Sequence, residues 1–248
     1  MSGKRLGTAA RRAYAARMPL LLSVNIGRPR PNPAKPDTAG TGIDKRPVDH
    51  PVRLRAPGPK GTGLHSGLVG DAVLDTRHHG GDDQAVYAYG REVLDRWEQE
   101  LGRTLSNGSF GENLTTSGLD VDGALIGERW RIGEEVLLEV SVPRIPCSTF
   151  AAWLDERRWM HRFTAAAVPG AYLRIIEPGE IRGGDPITVE HRPAHDVTVE
   201  RCFRALTLDA GLLPGLVDIA ELPEDVRELA RRRTGADPAP YAPGDDEA

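Results

Sequence analysis

The chain has 248 residues, of which 39% are hydrophobic, enough for one sizeable globular domain with a small appendage and for stability without disulfides. Its net charge of −4 offers no basic surface for nucleic acid, and its longest apolar run, Leu20 to Leu22, is far too short to cross a bilayer. Two cysteines without a CxxC pattern indicate a reducing, cytoplasmic setting and cannot hold an iron–sulfur cluster.

The N-terminal quarter alternates between predicted strands and loops. Residues 1–17 are a basic extension without the apolar core of a signal peptide, and Met18 is an alternative start. Residues 19–27 predict a first strand. Closely spaced prolines followed by glycines predict an extended loop over 28–48, and the alternation over 52–56 predicts a half-buried strand.

The central part predicts one clear helix among further strands. Apolar residues recur at helical spacing over 91–101, and Gly102 supplies the stop. Strands are predicted over 124–130 and 136–142, joined as a tight hairpin, and over 172–176 and 186–189, again hairpin-like. Many short strands with glycine and proline turns favour a mainly β fold, an irregular β-barrel interrupted by helices, over a parallel α/β sheet.

The C-terminal part has a different texture. Residues 18–195 are predicted to form the barrel domain, and 196–234 contain three short helical patterns, the middle one over 216–222, that predict a small helical module. Residues 235–248 are predicted to be a disordered polar tail. Cys202 falls on an apolar helical face with Phe203 and is assigned to the core.

Cys147 differs from Cys202 because it lies off any periodic apolar face. Its backbone is restrained by the preceding Pro146, and the cation Arg144 is three residues away. These features are typical of an accessible, easily ionised thiol. Such a thiol is either a nucleophile activated by a histidine or a ligand for a soft metal. A single thiolate cannot hold a bare metal, but it can hold a metal that arrives chelated by an organic cofactor.

The histidines narrow the chemistry further. Pro193 between His191 and His195 prevents a regular helical metal face, and no HExxH pattern occurs, so a zinc site is disfavoured. His79 precedes a Gly80–Gly81 turn and is either a proton donor or a turn-capping residue.

Three segments together resemble a known family. They are RHHGGDDQAVYAY, GSFGENLTTSGLDVDGALIGERWRIGEEVLLEVSVPRIPC and the helix that follows. Their spacing of HGG, FGENLT, IG and PRxPC is similar to that of MOSC domains, with the nearest likeness to the YiiM group. The resemblance spans roughly residues 23–195, and the segment after Asp196 resembles that group's C-terminal three-helix module.

The resemblance implies a β-barrel that binds molybdenum cofactor (molybdopterin), with the PRxPC cysteine, Cys147, as the metal's protein ligand. It implies reduction of N-hydroxylated purines to amines, and it maps the family's active-site positions to Lys45, Pro146, Cys147 and His79. Lys45 or His79 would protonate or hold the substrate oxygen. The remaining candidates for cofactor contact are Asn113 and Glu112, with Arg144, Arg77 and Arg174 for the cofactor's phosphate.

Three readings of function remain open at this point. The first is a molybdenum-dependent reductase of small N-hydroxylated compounds, served by an external electron-donor protein because the sequence contains no flavin or cluster motif. The second is a carrier of molybdenum cofactor or sulfur without its own turnover. The third is a binding or structural barrel with an inert cysteine. For Asn113, bracing the turn is the alternative to cofactor contact. The sequence leaves oligomeric state open, although homodimers occur among the resembling proteins.

Overall fold

The computed structural model describes residues 18–32, 34–36 and 38–235. The predicted basic extension and nearly all of the predicted disordered tail lie outside the described residues. None of the helices in the described ranges is long and apolar enough to span a membrane.

The secondary structure of the described part combines ten strands with five α-helices. The strands are β1 (Leu20–Arg30), β2 (Thr41–Val48), β3 (Val52–Leu54), β4 (Val86–Gly90), β5 (Leu114–Ser117), β6 (Arg129–Ile132), β7 (Val136–Pro143), β8 (Ala171–Glu177), β9 (Gly179–Ile181) and β10 (Ile187–His191). The helices are α1 (Arg91–Leu101), α2 (Ser148–Leu154), α3 (Trp159–Ala166), α4 (Val199–Thr207) and α5 (Glu224–Arg233), with short 3-10 helices at Asp82–Gln84 and Ala210–Leu216.

Eight strands form one mixed sheet in the order β10-β6-β7-β8-β4-β5-β1-β2, and β3 pairs separately with β9. Only the β4–β5 pair is parallel among the described strand pairs. The sheet curls until the start of β1 meets the segment before β10, where Leu21 N donates to Asp185 O at 2.9 Å and Ile187 N to Pro19 O at 2.9 Å. The expected irregular barrel is therefore confirmed, with a seam that is bridged rather than closed by a full ladder.

The buried side chains form two groups. The larger one fills the curled sheet and continues into the C-terminal helices, because Val199, Cys202 and Leu216 belong to the same cluster as the strand residues. Cys202 is fully buried, which confirms its core assignment, and this burial raises the pKa of its thiol to about 12. The smaller group is aromatic, and Phe110 lies 5.2 Å from the Phe150 ring within it. This aromatic group packs α1, α2 and α3 beside the strand ends.

Local patterns predicted several elements correctly. Helix α1 has the predicted bounds, and Gly102 ends it in the left-handed conformation at φ 66°. The hairpin of β6 and β7 is confirmed by the pairing of Ile132 with Val136. Trp159 and Phe163 are both fully buried in the aromatic group.

Two loop predictions were wrong in extent or in pairing. The loop predicted over 28–48 is shorter: residues 28–30 end β1 and residues 41–48 form β2, which pair in an antiparallel ladder. The described residues between the two strands form a loop, as predicted. Proline is tolerated in β2 because it is the edge strand, where a missing N–H costs no ladder bond on the outer side. The segments around β9 do not form a hairpin either: β8 pairs with β7 and β4, and β10 pairs with β6.

Two element boundaries also differ from the predictions. Residues 124–128 precede β6 without forming a strand: Ile126 N and Glu128 N bond to Val197 O and Leu125 O, and the segment meets β7 only around Val140. The middle C-terminal helix lies at Ala210–Leu216, ahead of the predicted position, and Asp209 caps it through a bond from Gly211 N.

Candidate functional site

The candidate site is a cavity of about 100 Å3 at one end of the curled sheet. It lies between β2, the segment 71–80, the turn before β5, and the turn that joins β7 to α2. Five of the predicted site residues line it together: Lys45, His79, Asn113, Arg144 and Cys147. The structure thus brings into one place residues that are up to 102 positions apart in the chain.

Cys147 reaches this cavity because two prolines end β7 and shape the turn after it. All eight residues of β7 are buried, and Pro143 is its last paired residue, opposite Ala171. Pro146 is buried but does not line the cavity, and Cys147 follows in an extended conformation at the start of α2. The thiol is half-buried and lines the cavity.

Arg144 is a buried cation with spare hydrogen-bonding capacity. The residue is 6% exposed, and its guanidinium carbon lies 3.6 Å from the centre of the Phe150 ring. Burial acts to lower its pKa, but interactions with Tyr87, Cys147 and Tyr172 outweigh burial and raise it. Arg144 Nη1 has no hydrogen-bond partner among the described residues. A desolvated guanidinium beside a thiol therefore suits an anionic ligand or a metal-bound thiolate.

Lys45 extends from β2 into the cavity and forms an ion pair with Asp71. Its Nζ lies 2.6 Å from Asp71 Oδ1 and 2.7 Å from Oδ2, and both side chains are almost fully buried. Burial acts to raise the pKa of Asp71, but Lys45 and the hydrogen bonds it accepts lower it. Asp71 is a site residue that sequence reasoning missed, because it ends a glycine-dense stretch, residues 58–71, whose composition is typical of turns.

His79 is held in a neutral form at the cavity wall. Burial lowers its pKa to about 4, and the cation Arg144 adds to the effect. At neutral pH the imidazole therefore donates and accepts hydrogen bonds without a charge, which differs from a proton donor with the ordinary pKa of about 6.5. The neighbouring His78 is exposed, and its Nδ1 lies 2.9 Å from Asp75 Oδ1.

The His79 environment predicts a pH-dependent stability. Since the pKa of His79 is lowered on folding, the unfolded chain binds a proton that the folded chain does not bind between about pH 6.5 and 4. Because of this residue, the free energy of unfolding should decrease by about 2 kcal/mol as the pH falls from about 6.5 to about 4. We expect His79→Gln to flatten the curve of unfolding free energy against pH, measured by urea titration. An unchanged curve would contradict the assignment; His161→Gln, at an exposed histidine, is the control.

Besides Pro146, three predicted cofactor contacts lie outside the cavity lining. Arg77 is exposed on the surface. Arg174 is occupied by Asp83, Glu139 and the carbonyl of Glu221, so its guanidinium is not free for phosphate. Glu112 is 0% exposed and braces its own turn, accepting from Gly108 N at 2.6 Å, Phe110 N at 2.9 Å and Thr115 Oγ1 at 3.0 Å.

Asn113 lines the cavity, but its amide also takes part in the framework. Its Oδ1 accepts from Tyr87 N at 3.2 Å, and its Nδ2 donates to Asp71 Oδ2 at 3.0 Å. This bonding pattern favours the bracing role that the sequence left open. Tyr87 and Tyr172 also line the cavity, with ring centres 5.1 Å apart, and no local sequence signal had marked them.

Comparisons with known proteins agree on one family. The model of the MOSC domain matches residues 75–188. The chain is 32% identical over 190 residues to the uncharacterized protein YflK of Bacillus subtilis, covering 77% of this chain and 81% of that one. It is 32% identical over 137 residues to YiiM of Escherichia coli, covering 54% of this chain and 60% of that one. It is 28% identical over 230 residues to a protein of Gibberella moniliformis named as a reductase, covering 90% of this chain but only 38% of the fungal protein.

Solved structures show the same fold. The crystal structure of YiiM from Geobacillus stearothermophilus superposes with a TM-score of 0.68 at 26% identity, covering 87% of this chain and 98% of that one. YiiM from Escherichia coli superposes with a TM-score of 0.66 at 23% identity, covering 89% and 95%.

Proposed function

The chain belongs to the MOSC-domain family, and from that premise we propose that it is a molybdenum cofactor-dependent reductase of N-hydroxylated bases or related N-hydroxylated compounds. The observation that carries the proposal is the placement of the Cys147 thiol in the same cavity as the buried Arg144, whose Nη1 has no partner among the described residues. A thiolate ligand and an unsatisfied guanidinium are the two groups that a metal with an anionic chelator requires.

The donor set fits the cofactor in chemical type. Cys147 would supply the single protein bond to molybdenum, and Arg144 would bind an anionic group of the chelator through Nη1. The aromatic packing around Arg144 keeps water from this cation, which strengthens its attraction for an anion. When bound, the cofactor supplies the two-electron chemistry that cleaves an N–O bond.

The chain's own residues would bind and orient the substrate. The reaction converts R–NHOH, two electrons and two protons into R–NH2 and water. The Lys45 ammonium makes two bonds to Asp71, which leaves its third N–H for the hydroxylamine oxygen. His79, neutral at pH 7, can hydrogen-bond the same group without adding charge to the cavity. Electrons would come from an external donor protein, and we place the reaction in the cytoplasm.

A single preparation tests this proposal against the carrier alternative. The chain is purified from cells that make molybdenum cofactor, its molybdenum is measured by mass spectrometry, and 6-hydroxylaminopurine is added with a chemical reductant. We expect bound molybdenum and formation of the amine, followed by chromatography. Molybdenum without turnover would favour a carrier, and a protein that retains no molybdenum would contradict both functions.

A further inference from the structure

We infer that Asp71 is the positioning residue of the candidate site, holding the Lys45 ammonium at the cavity wall. The inference rests on the proposed function, since that function assigns Lys45 to the substrate oxygen. Nothing in the PRxPC or HGG motifs indicates Asp71, which lies 26 positions from Lys45 in the chain.

The Asp71 carboxylate has more partners than an ordinary ion pair. Besides Lys45, it accepts hydrogen bonds from Gly27 N at 2.6 Å, Ser66 Oγ at 2.7 Å and Asn113 Nδ2 at 3.0 Å. Its side chain is 1% exposed, so its oxygens are bonded by protein donors on several sides. A carboxylate fixed by three further donors cannot move with the flexible lysine, and it therefore determines where Nζ lies.

The backbone around Asp71 leaves room for this arrangement. Gly27 and Lys45 are partners across the β1–β2 ladder, so the backbone donor and the ammonium reach Asp71 from paired positions on adjacent strands. A Cβ at Gly27 would come within 2.9 Å of Asp71 Oδ1, and a Cβ at Gly42 would come within 1.9 Å of Ala72 O. Both glycines therefore permit the segment that carries Asp71 to approach the sheet.

The charges in the cavity give the pair a chemical purpose. The titratable groups that line the cavity with Lys45 are Asp71, Asp75, His79, Arg144, Cys147, Tyr87 and Tyr172. Arg144 and Lys45 are the cations among them. Asp71 compensates the charge of Lys45 through two bonds, while Arg144 Nη1 has no partner among the described residues and stays available to an anion.

The test follows the reactivity of Lys45 itself and needs no bound cofactor. Purified wild type, Asp71→Asn and Asp49→Asn are acylated over a range of pH, and the labelling of Lys45 is compared by mass spectrometry with that of the exposed Lys60. We expect Asp71→Asn to shift the onset of Lys45 labelling down by at least about one pH unit, a tenfold faster reaction at fixed pH. Asp49→Asn removes an exposed carboxylate that is not part of the cavity lining, and it should leave the onset unchanged. An unshifted onset in folded Asp71→Asn would overturn the inference.

A second measurement serves if Asp71→Asn folds but is too unstable for labelling across the pH range. The urea midpoints of Asp71→Asn, Lys45→Met and the double variant are compared with wild type. If the carboxylate acts on the ammonium, the double variant loses less than the sum of the two single losses, because it leaves no buried charge without a partner. Simple additivity would overturn the inference.

An activity assay distinguishes a failure of this inference from a failure of the proposed function on which it rests. Where wild type reduces the hydroxylamine, Asp71→Asn should lower kcat about tenfold while the exposed control Asp49→Asn stays within about twofold. If wild type shows no activity, the proposed function fails, and the labelling result still decides the role of Asp71.

Discussion

Replacing Cys147 by alanine is expected to reduce both bound molybdenum and hydroxylamine reduction to about a hundredth of the wild-type level or less. Under the proposed function the Cys147 thiol, which lines the cavity with Arg144, would be the soft ligand, and alanine would leave the metal without a protein bond. Metal analysis and single-substrate assays on parallel preparations measure the two losses. Both should occur without a large change in thermal midpoint, because Cys147 is only half-buried.

The second cysteine provides the matched control. Cys202 is fully buried in the core of the C-terminal helices, away from the cavity lining. Cys202→Ala should cost about 1 kcal/mol of stability through lost packing and keep its molybdenum. Full molybdenum content in folded Cys147→Ala would contradict the ligand assignment.

Replacing Glu112 by alanine is expected to lower the free energy of unfolding by about 3–5 kcal/mol, since it leaves buried donors unpaired at Gly108, Phe110 and Thr115. Glu112→Gln keeps one acceptor oxygen and should lose about half as much. Urea titration measures both. The molybdenum content per folded molecule should stay at the wild-type level in each variant.

The matched control for Glu112 is an exposed glutamate. Glu134 lies exposed in the β6–β7 turn, so Glu134→Ala should change stability by less than about 0.5 kcal/mol. A Glu112→Gln protein that is stable but poor in molybdenum would restore the cofactor contact expected from the sequence.

Elements set by local residues were predicted well, and elements set by distant pairing were not. Helix α1 carries its own periodicity and its own glycine stop, so its bounds could be read from eleven residues. Strand β2 carries Asp44, Lys45, Arg46 and Pro47 in sequence, a composition that resembles a loop. It is a strand because β1 pairs along it, and that partner is not visible from β2 alone.

The site shows the same division. Cys147, Arg144 and His79 belong to short motifs, and the fold brings them into one cavity with Lys45 and Asn113. The ion-pair partners of a charged side chain, by contrast, could not be predicted from the sequence. Arg174 was assigned to phosphate because no sequence pattern reveals that Asp83, 91 positions away, occupies it. Asp71 was overlooked because no sequence pattern reveals that it pairs with Lys45, 26 positions away.

The hydrogen bonds of Arg174 connect the segment before α5 to the turn that follows His79 at the candidate site. One guanidinium joins a barrel strand, the turn four residues beyond His79, and the carbonyl that precedes α5. Shortening the chain after the last strand would remove that carbonyl and loosen the turn. The C-terminal helices thus support the turn that follows His79. A barrel truncated after β10 is therefore expected to be a poor substitute for the intact molecule in any assay.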